Sequence, residues 1–559
     1  MPAHRWLIAI ALAASIGPAR MGAQLLRVPP DSVRRSALVL VTSETVDRIR
    51  LGQLLGSRVD GRLLLRSASS LTPQMGGGNN GPAVSAIAPQ FLVVSNSALP
   101  FSQNNGSLWA GRGIGSRALA GVKLESGRVR LILAPELVSE ENRDWLLRRF
   151  PYNQAHNTPS VPADRSGGGY VFPFYVNTFP IDQPLRFGNK RIQRLDPGQS
   201  SLFVRTGNVE IGASTESEWW GPGIRNALIL SNNAPGFPHL LLRTMHPMST
   251  RFGKIEARWL VGGLTESKYF DTVSTNNVRS LASLAATIQT GWDPNLTFGF
   301  ARSVFATASG WGPVPLRWLD VLANTHRAND RPVADTALRP GGRDQILSLF
   351  GRWVFPPEGV EIYSEWARTE LPRNLKDALI APNHTQGYTL GLQWARPVRP
   401  LGLFRIQAEV TQLEQSPTRR DRPIGSWYTS RRVVQGYTNR GEVIGASIGP
   451  GASSAWLALD YLAPSWRFGV FAGRIRWNED VHNATQFPVY VYYCNHDVTI
   501  YPGARAAARG RFGSLSVDYS LQNRLNAFFQ NDGGCPNVGN RLDIRNNTLS
   551  ITFSPFSRL

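Results

Sequence analysis

From about residue 90 onward, apolar and polar residues alternate along the chain with a period of two. In the segment 402–412, Phe404 and Ile406 are apolar, whereas their neighbours Arg405 and Gln407 are polar. Long segments with one apolar and one polar face are typical of transmembrane β-barrel strands, whose apolar face meets lipid. A soluble β-sandwich also alternates, but with shorter strands. The same alternation recurs in three further segments: 254–261, 388–394 and 513–524.

The connections between these strands are predicted to alternate strictly between short and long, as periplasmic turns and extracellular loops do in outer-membrane barrels. We therefore expect an all-β fold, a transmembrane antiparallel β-barrel of about 18 strands over residues 86–559, with both ends periplasmic. About fourteen of these strands follow Ser201, and residues 90–195 have room for about four more. The short connections are predicted at 196–200, 246–252, 292–295, 356–359, 398–401, 463–465 and 509–511, and the long ones at 215–236, 266–278, 308–345, 371–383, 415–452, 478–497 and 526–539.

The first 85 residues have a different pattern. Residues 1–23 combine a short basic start, an apolar core and small residues, which predicts a cleavable secretory signal peptide. The apolar core is too short to span a bilayer. Residues 24–85 are predicted to form a small helical periplasmic region, because apolar residues recur at helical spacing around Val46 and Ser43 can cap a helix.

The composition excludes two other classes of protein. With 42% hydrophobic and 18% charged residues and a mean hydropathy of −0.20, the chain is too polar for a helical membrane protein and too apolar for a disordered one. The net charge of +21, carried almost entirely by arginine, indicates anionic partners or reflects the base composition of the genome. The arginines are scattered rather than gathered in a tail or stripe, which argues against nucleic acid as the partner.

The chain has two cysteines, Cys494 and Cys535. The predicted topology places them in the last two extracellular loops, and an exported chain reaches an oxidising compartment. We therefore expect a disulfide between them, with two unpaired thiols as the alternative. Neither the cysteines nor the eight histidines have the spacing of a metal site, so no metal and no cofactor is predicted.

The most distinctive stretch, residues 216–243, reads Glu-Ser-Glu-Trp-Trp-Gly-Pro-Gly-Ile-Arg-Asn-Ala-Leu-Ile-Leu-Ser-Asn-Asn-Ala-Pro-Gly-Phe-Pro-His-Leu-Leu-Leu-Arg. It resembles the signature of the Wzi-type capsule assembly proteins of the outer membrane. A second, supporting match is 436–451, Gly-Tyr-Thr-Asn-Arg-Gly-Glu-Val-Ile-Gly-Ala-Ser-Ile-Gly-Pro-Gly, preceded by Trp427-Tyr428. The resemblance covers most of residues 90–559. It implies an outer-membrane barrel of about 18 strands with a periplasmic helical part, and a lectin-like role in holding capsular polysaccharide.

Two predicted extracellular loops combine aromatic rings with arginine and asparagine side chains. Aromatic rings offer flat apolar faces on which sugars stack, and arginine forks match carboxylates, so we predict that these loops contact polysaccharide. Alternatively, Trp-Gly-Pro-Gly folds its loop into the lumen, and the asparagines satisfy backbone groups there. The candidate binding residues are Trp219, Trp220, Arg225, Asn232, Asn233, Trp427, Tyr428, Arg431, Arg432 and Tyr437.

Charged residues on the polar strand faces are predicted to point into the barrel and to be solvated or paired there. The expected lumen residues are Glu361, Glu365 and Glu409, near Arg258, Arg368 and Arg405.

Gly445-Ala-Ser-Ile-Gly449 matches the nucleophile elbow of hydrolases, but Pro450-Gly451 follows directly where that motif needs a helix, which favours a chance match.

The sequence therefore predicts a non-enzymatic bacterial outer-membrane protein that binds a surface polysaccharide and assists its assembly or retention. Its expected partners are capsular or other surface polysaccharide, outer-membrane lipid and, during biogenesis, the barrel-insertion machinery; nucleic acid is not expected. A passive porin is the first alternative. A barrel hydrolase acting through Ser447 is the second.

Overall fold

The computed structural model describes residues 38–56, 63–72, 82–145, 181–270, 273–323, 325, 342–372, 374–398, 402–420, 424–480, 496–527 and 543–555. The predicted signal peptide at 1–23 lies outside these residues, and so do Cys494 and Cys535. Their predicted disulfide therefore stays a prediction.

Within the described residues, antiparallel strands form a closed barrel of eighteen strands, as the alternating pattern predicts. Three of these strands are each interrupted once, where β4 continues as β5, β6 as β7 and β10 as β11. The strands are β2 Ala83–Asn96, β3 Gly113–Ser126, β4 Val129–Leu133, β5 Glu136–Glu140, β6 Ile192–Asp196, β7 Ser201–Thr206, β8 Val209–Ser214, β10 His239–Thr244, β11 Met248–Thr250, β12 Gly253–Thr265, β13 Val278–Thr290, β14 Leu296–Ala308, β15 Arg343–Phe355, β16 Val360–Arg368, β17 Gln386–Val398, β18 Gly402–Gln412, β21 Ser453–Leu462, β22 Trp466–Arg476, β23 Val498–Gly510, β24 Gly513–Leu525 and β25 Ile544–Pro555.

The first and last strands close the ring, because β2 pairs with β25 in the register Phe91↔Phe553. Closure matters because a strand edge open to lipid would leave backbone groups without partners. Short and long connections alternate around the ring, so every short turn lies at one end and every long loop at the other. Both ends of the barrel sequence lie at the short-turn end, which is the periplasmic end by the rule for such barrels.

One predicted turn was wrong. Residues 196–200 interrupt a single strand, formed by β6 and β7, and the hairpin that follows lies at Gly207–Asn208. Asp196 accepts the Gly198 N–H at 2.9 Å, and Gly198 has a φ of +60°, which gives a local bend after which the strand resumes. Three strands therefore precede the interrupted strand and fourteen follow it, so the total of eighteen is unchanged.

The strand faces follow the predicted polarity. On β18, Arg405, Gln407 and Glu409 are buried in the interior, whereas the outward Val410 is exposed. The predicted lumen residues Glu361 and Glu365 are likewise buried. At the short turns, Phe252 and Phe512 are largely exposed, as in the aromatic girdle at a membrane interface. No helix among the described residues is long and apolar enough to cross a membrane.

The segment before the barrel is folded inside its short-turn end. It comprises helix α1 (Glu44–Leu54), strand β1 (Leu65–Ser67) and helix α2 (Ala68–Leu71). Ser43 occupies the N-cap position of α1, where its carbonyl accepts the Val46 N–H at 2.9 Å. One face of α1 packs on wall residues of the short-turn end: Val354, Ala395, Leu403 and Leu462. The helical region is therefore a plug in the lumen, and β2 begins at Ala83, inside the segment expected to precede the barrel.

Seven further short elements of the described residues belong to the long loops. Strand β9 (Glu218–Trp220) pairs with β1, and strands β19 (Thr438–Asn439) and β20 (Glu442–Val443) pair with each other. Helix α3 (Leu375–Ile380) lies between β16 and β17. Short 3-10 helices span Val314–Leu316, Trp318–Leu322 and Pro417–Arg420.

Candidate functional site

The loop that follows β8, residues 215–238, turns into the barrel instead of leaving it. We call it the signature loop. Its strand β9 pairs with β1 of the plug in the register Arg66↔Trp219, and the Gly221 N–H donates to the Leu64 carbonyl at 2.8 Å. The Arg66 guanidinium lies 4.7 Å from the Trp219 ring centroid. The signature loop and the plug therefore form one packed unit inside the lumen.

Wall carboxylates hold the backbone of the signature loop. Glu409 accepts the N–H groups of Ile224, Arg225 and Asn226 at 2.6, 3.1 and 2.8 Å. Glu365 accepts the Leu228 N–H at 3.2 Å. Each of these hydrogen bonds satisfies a backbone N–H group of the loop, so together they fix the loop at the wall. Glu365 and Glu409 thus bind backbone amides of the loop.

The glycines of Trp-Gly-Pro-Gly fit this close approach. Gly221 has a φ of +113°, a conformation that disfavours side chains, and a Cβ there would lie 2.8 Å from the Glu365 carboxylate. Gly223 leaves no room for a Cβ because the Asn226 carbonyl oxygen occupies that place. The motif is therefore explained by how the loop enters the lumen.

The loop between β18 and β21 folds inward against the signature loop. Asn233 donates to the Val443 carbonyl at 2.9 Å, and the Tyr428 hydroxyl donates to the Leu228 carbonyl at 3.0 Å. The Tyr428 ring stacks on Tyr437, with centroids 5.9 Å apart. The two sequence motifs thus meet across one buried interface.

Most of the predicted binding residues are located in this interface. Trp219, Trp220, Trp427, Tyr428 and Tyr437 are buried almost completely. Their rings have little surface to offer a sugar in this structure. They follow the alternative in which the signature motif folds its loop into the lumen.

The remaining candidates are two buried asparagines and three arginines that keep some exposed surface. Asn232 and Asn233 are buried and donate to Asn104 and Val443 carbonyls. Arg431 is exposed, whereas Arg432 and Arg225 are partly exposed. These three arginines keep surface that a polysaccharide can reach.

A network of buried ion pairs holds α1 at the barrel wall. Arg405 bridges Asp47 of α1 and Asp460 of β21, at 2.8 and 2.9 Å. Burial alone would raise the pKa of Asp47, but Arg405 and Arg467 outweigh it and lower that pKa below its usual range. At the other side of α1, Arg50 pairs with Glu361, which also accepts Arg352 at 2.8 Å. Buried ion pairs therefore hold the plug at the barrel wall.

A chamber of about 400 Å³ remains between the plug and the wall. This volume falls in the range of small-molecule sites, roughly 300–1,000 Å³. Arg66 and Arg225 line it without an ion-pair partner in the described residues: Arg66 donates to the Val41 and Leu63 carbonyls, and Arg225 to Gln103. The wall formed by β24 and β25 carries one carboxylate, Asp518, and hydroxyl groups from Ser514, Ser516, Ser520, Thr548, Ser550, Thr552 and Ser554.

One aromatic ring in this chamber lies between two guanidinium groups. Arg225 is 5.4 Å and Arg505 is 5.1 Å from the centroid of the Trp456 ring. Arg505 is neutralised by Asp460 at 2.6 Å, whereas Arg225 is bound by the Gln103 amide. An arginine without an ion-pair partner among the described residues, beside a row of hydroxyl groups, is an arrangement that can recognise the carboxylate and hydroxyl groups of an acidic sugar.

The sequence analysis missed Trp456, Tyr501 and Arg505, which all line this chamber. These residues are on strands, in the phase of the inward polar face. An aromatic residue in that phase was the available signal, because lumen positions of such strands are usually polar.

The hydrolase motif lacks its structural context. Ser447 lies in a turn of the loop, and its hydroxyl donates to Asn226 Oδ1 at 3.2 Å. No helix begins after it, as a nucleophile elbow would require. In the part of the chain that the structure describes, no group of three or more potential metal ligands comes together.

A closed ring of tilted strands with an apolar exterior and a filled polar lumen defines an outer-membrane β-barrel with an internal plug. A family model, the capsule assembly protein Wzi, matches residues 152–468, more than half of the chain. The chain belongs to the Wzi capsule assembly family.

Several solved structures are similar to this chain. Wzi of Escherichia coli is described as an outer-membrane protein involved in group 1 capsule assembly and as a carbohydrate-binding β-barrel. It matches with a TM-score of 0.50 and 11% identity over 95% of this chain and 91% of its own. A BenF-like porin of Pseudomonas fluorescens Pf-5 matches at TM-score 0.36 and 9% identity over 85% and 98% of the two chains. OprD of Pseudomonas aeruginosa matches at 0.35 and 11% over 84% and 93%. No curated protein sequence matches the chain.

Proposed function

We propose that this barrel binds an anionic surface polysaccharide and assists its assembly or retention at the cell surface, acting by binding rather than catalysis. Membership of the Wzi family supports the capsule role. The single observation that carries the anionic preference is Arg225, which lines the chamber beside hydroxyl groups and has a neutral amide instead of a carboxylate as its hydrogen-bond partner. Outer-membrane lipid and the barrel-insertion machinery are the further partners of this proposal.

The proposal assigns two roles to the predicted binding residues. Arg225, Arg431 and Arg432 keep accessible surface and contact the polysaccharide. The other predicted residues hold the two inward loops in the shape that presents Arg225. A change at Trp219 would then weaken binding indirectly, through the fold of the loop.

Direct binding tests the site. Purified barrel in detergent is titrated with polysaccharide from its own host, with Arg225→Ala and with Arg128→Ala as the matched control, since Arg128 is an exposed arginine in a short turn. Loss of a charge-assisted contact of roughly 1.5–3 kcal/mol predicts a Kd increase of about tenfold or more for Arg225→Ala. An unchanged Kd for Arg225→Ala would remove the chamber from the proposal.

The cellular role has its own test. Deletion of the gene should release polysaccharide into the medium while total synthesis continues. Unchanged retention at the surface would contradict the role in assembly or retention, even if the purified protein bound the polysaccharide.

A further inference from the structure

A segment of the loop between β14 and β15 lies outside the barrel wall. We call residues 311–323 the outer strap. Val321 packs on Val261 and Ala282, and Trp318 meets the edge of Trp259 with ring centroids 5.9 Å apart. The strap is therefore attached to strands β12 and β13 by apolar contacts.

The strand register shows that this contact is on the outward face. Trp259 pairs with Leu284 and Val261 with Ala282. Their neighbour Arg258 points inward, where it donates to Glu218 of the signature loop. Successive residues of a strand face opposite sides, so Trp259 and Val261 face outward, toward lipid.

The strap lies at membrane depth. Trp259 and Val261 are six and eight residues beyond Gly253, where β12 leaves its short turn. With a rise of about 3.3 Å per residue and a tilt of about 40°, they stand roughly 15–20 Å above the short-turn end. The apolar band of such barrels is about 25 Å tall, so the strap covers its outer half.

The free edge of the strap is apolar. Leu316, Leu319 and Leu322 are 84%, 65% and 63% exposed. A 3-10 helix has three residues per turn, so Leu319 and Leu322 lie along one edge of the helix Trp318–Leu322, and Leu316 ends the 3-10 helix before it. This edge points away from the wall, because Trp318 and Val321 occupy the side that packs on it.

Several polar groups of the strap are paired, which lowers the cost of placing the segment in hydrocarbon. The Trp318 and Ala323 carbonyls accept from Trp259 Nε1 and from Arg302, at 3.0 and 2.7 Å. Asp320 forms ion pairs with Arg343 at 3.4 Å and Arg317 at 3.8 Å. A loop free in water would need neither these pairings nor a leucine edge.

We propose that the outer strap is a membrane-contacting element whose leucine edge binds the acyl chains of the outer leaflet. The surface continues the lipid-facing wall of the barrel at the same depth, and lipid is therefore its occupant. The strap widens the lipid-facing surface on one side of the barrel and holds residues 311–323 of the β14–β15 loop against the bilayer. This inference is independent of polysaccharide binding.

Site-specific photo-crosslinking tests the strap in the full-length protein in phosphatidylcholine nanodiscs. Leu319→p-benzoylphenylalanine is compared with the same substitution at Leu349, an outward residue of the bare wall, and at Arg128, in a short turn. Leu316→p-benzoylphenylalanine is a second strap position in case the first variant does not assemble.

After irradiation, the strap variants should carry a lipid adduct at a yield within about twofold of that at Leu349, and Arg128 should carry almost none. A covalent protein dimer at the strap positions would overturn the proposal in favour of a second copy of the chain. The absence of an adduct at both strap positions, with a normal yield at Leu349, would overturn it in favour of exposure to water.

Discussion

Glu409 is the residue on which the inward fold of the signature loop depends most directly. It is buried and accepts three consecutive backbone N–H groups, those of Ile224, Arg225 and Asn226. Glu409→Ala would leave these donors and the Tyr363 hydroxyl without their acceptor. Each buried donor without a partner costs about 1–3 kcal/mol. Because Ile224 and Arg225 line the chamber, entering water offsets part of this cost.

A net loss of about 3 kcal/mol for three such donors raises the ratio of released to docked loop by roughly 100-fold. The barrel wall should survive, because its strands pair with one another along their whole length. Planar-bilayer conductance and protease cleavage within 215–238 measure the released loop, and both should rise. Glu409→Gln, which keeps one carbonyl acceptor, should lie between the wild type and Glu409→Ala. Glu358→Ala, in an exposed short turn, is the control. Unchanged conductance together with unchanged cleavage in Glu409→Ala would refute this account of the loop.

Three further predictions concern the same interior. Wild-type protein should show little steady conductance in planar bilayers, because plug and loops fill the lumen; a large steady conductance would favour a passive porin. Trp219→Ala should loosen the plug by roughly 3–5 kcal/mol, the cost of truncating a buried indole, seen as faster proteolysis of the signature loop. Burial raises the pKa of Glu442 to about 8, although Arg194 and Arg440 oppose the shift. The protonated acid therefore stabilises the β19–β20 hairpin below about pH 4.5, and this stability is lost as the pH rises through about 8. The hydrogen-exchange protection factors of the hairpin amides, which correct for the pH dependence of intrinsic exchange, should rise toward low pH in the wild type and lose this dependence in Glu442→Gln.

The sequence predicted the barrel well because strand alternation is a local property. Outward Val410 and inward Glu409 are adjacent in the chain, and their opposite environments follow from the pleat. The turn at 196–200 failed for a related reason. Asp-Pro-Gly has the local chemistry of a turn, but the same residues also bend a single strand, and only the pairing with β5 distinguishes the two.

The sequence left open whether the candidate residues lie on outer loops or inside the lumen. Trp219 and Tyr428 belong to loops that are far apart in sequence, and neither loop carries a local signal that it folds inward. A barrel of this size encloses more space than its own inward side chains fill. Something must occupy that space, and here the long loops and the segment before the barrel do so. The inward aromatic Trp456 was a signal on its strand, but the strand pattern alone does not show which loop and plug residues it faces.

The distribution of charge inside the barrel decides where an anionic ligand can bind. Arg405 and Arg505 are each held by Asp460, and Arg258 by Glu218, so these arginines attract no further anion without breaking a pair. Arg225 differs because its ligand is a neutral amide, and the nearby Glu409 is occupied by backbone N–H groups. A carboxylate that approached Arg225 would therefore gain an ion pair and break none, which makes this arginine the point of the chamber where an acidic sugar costs least to bind.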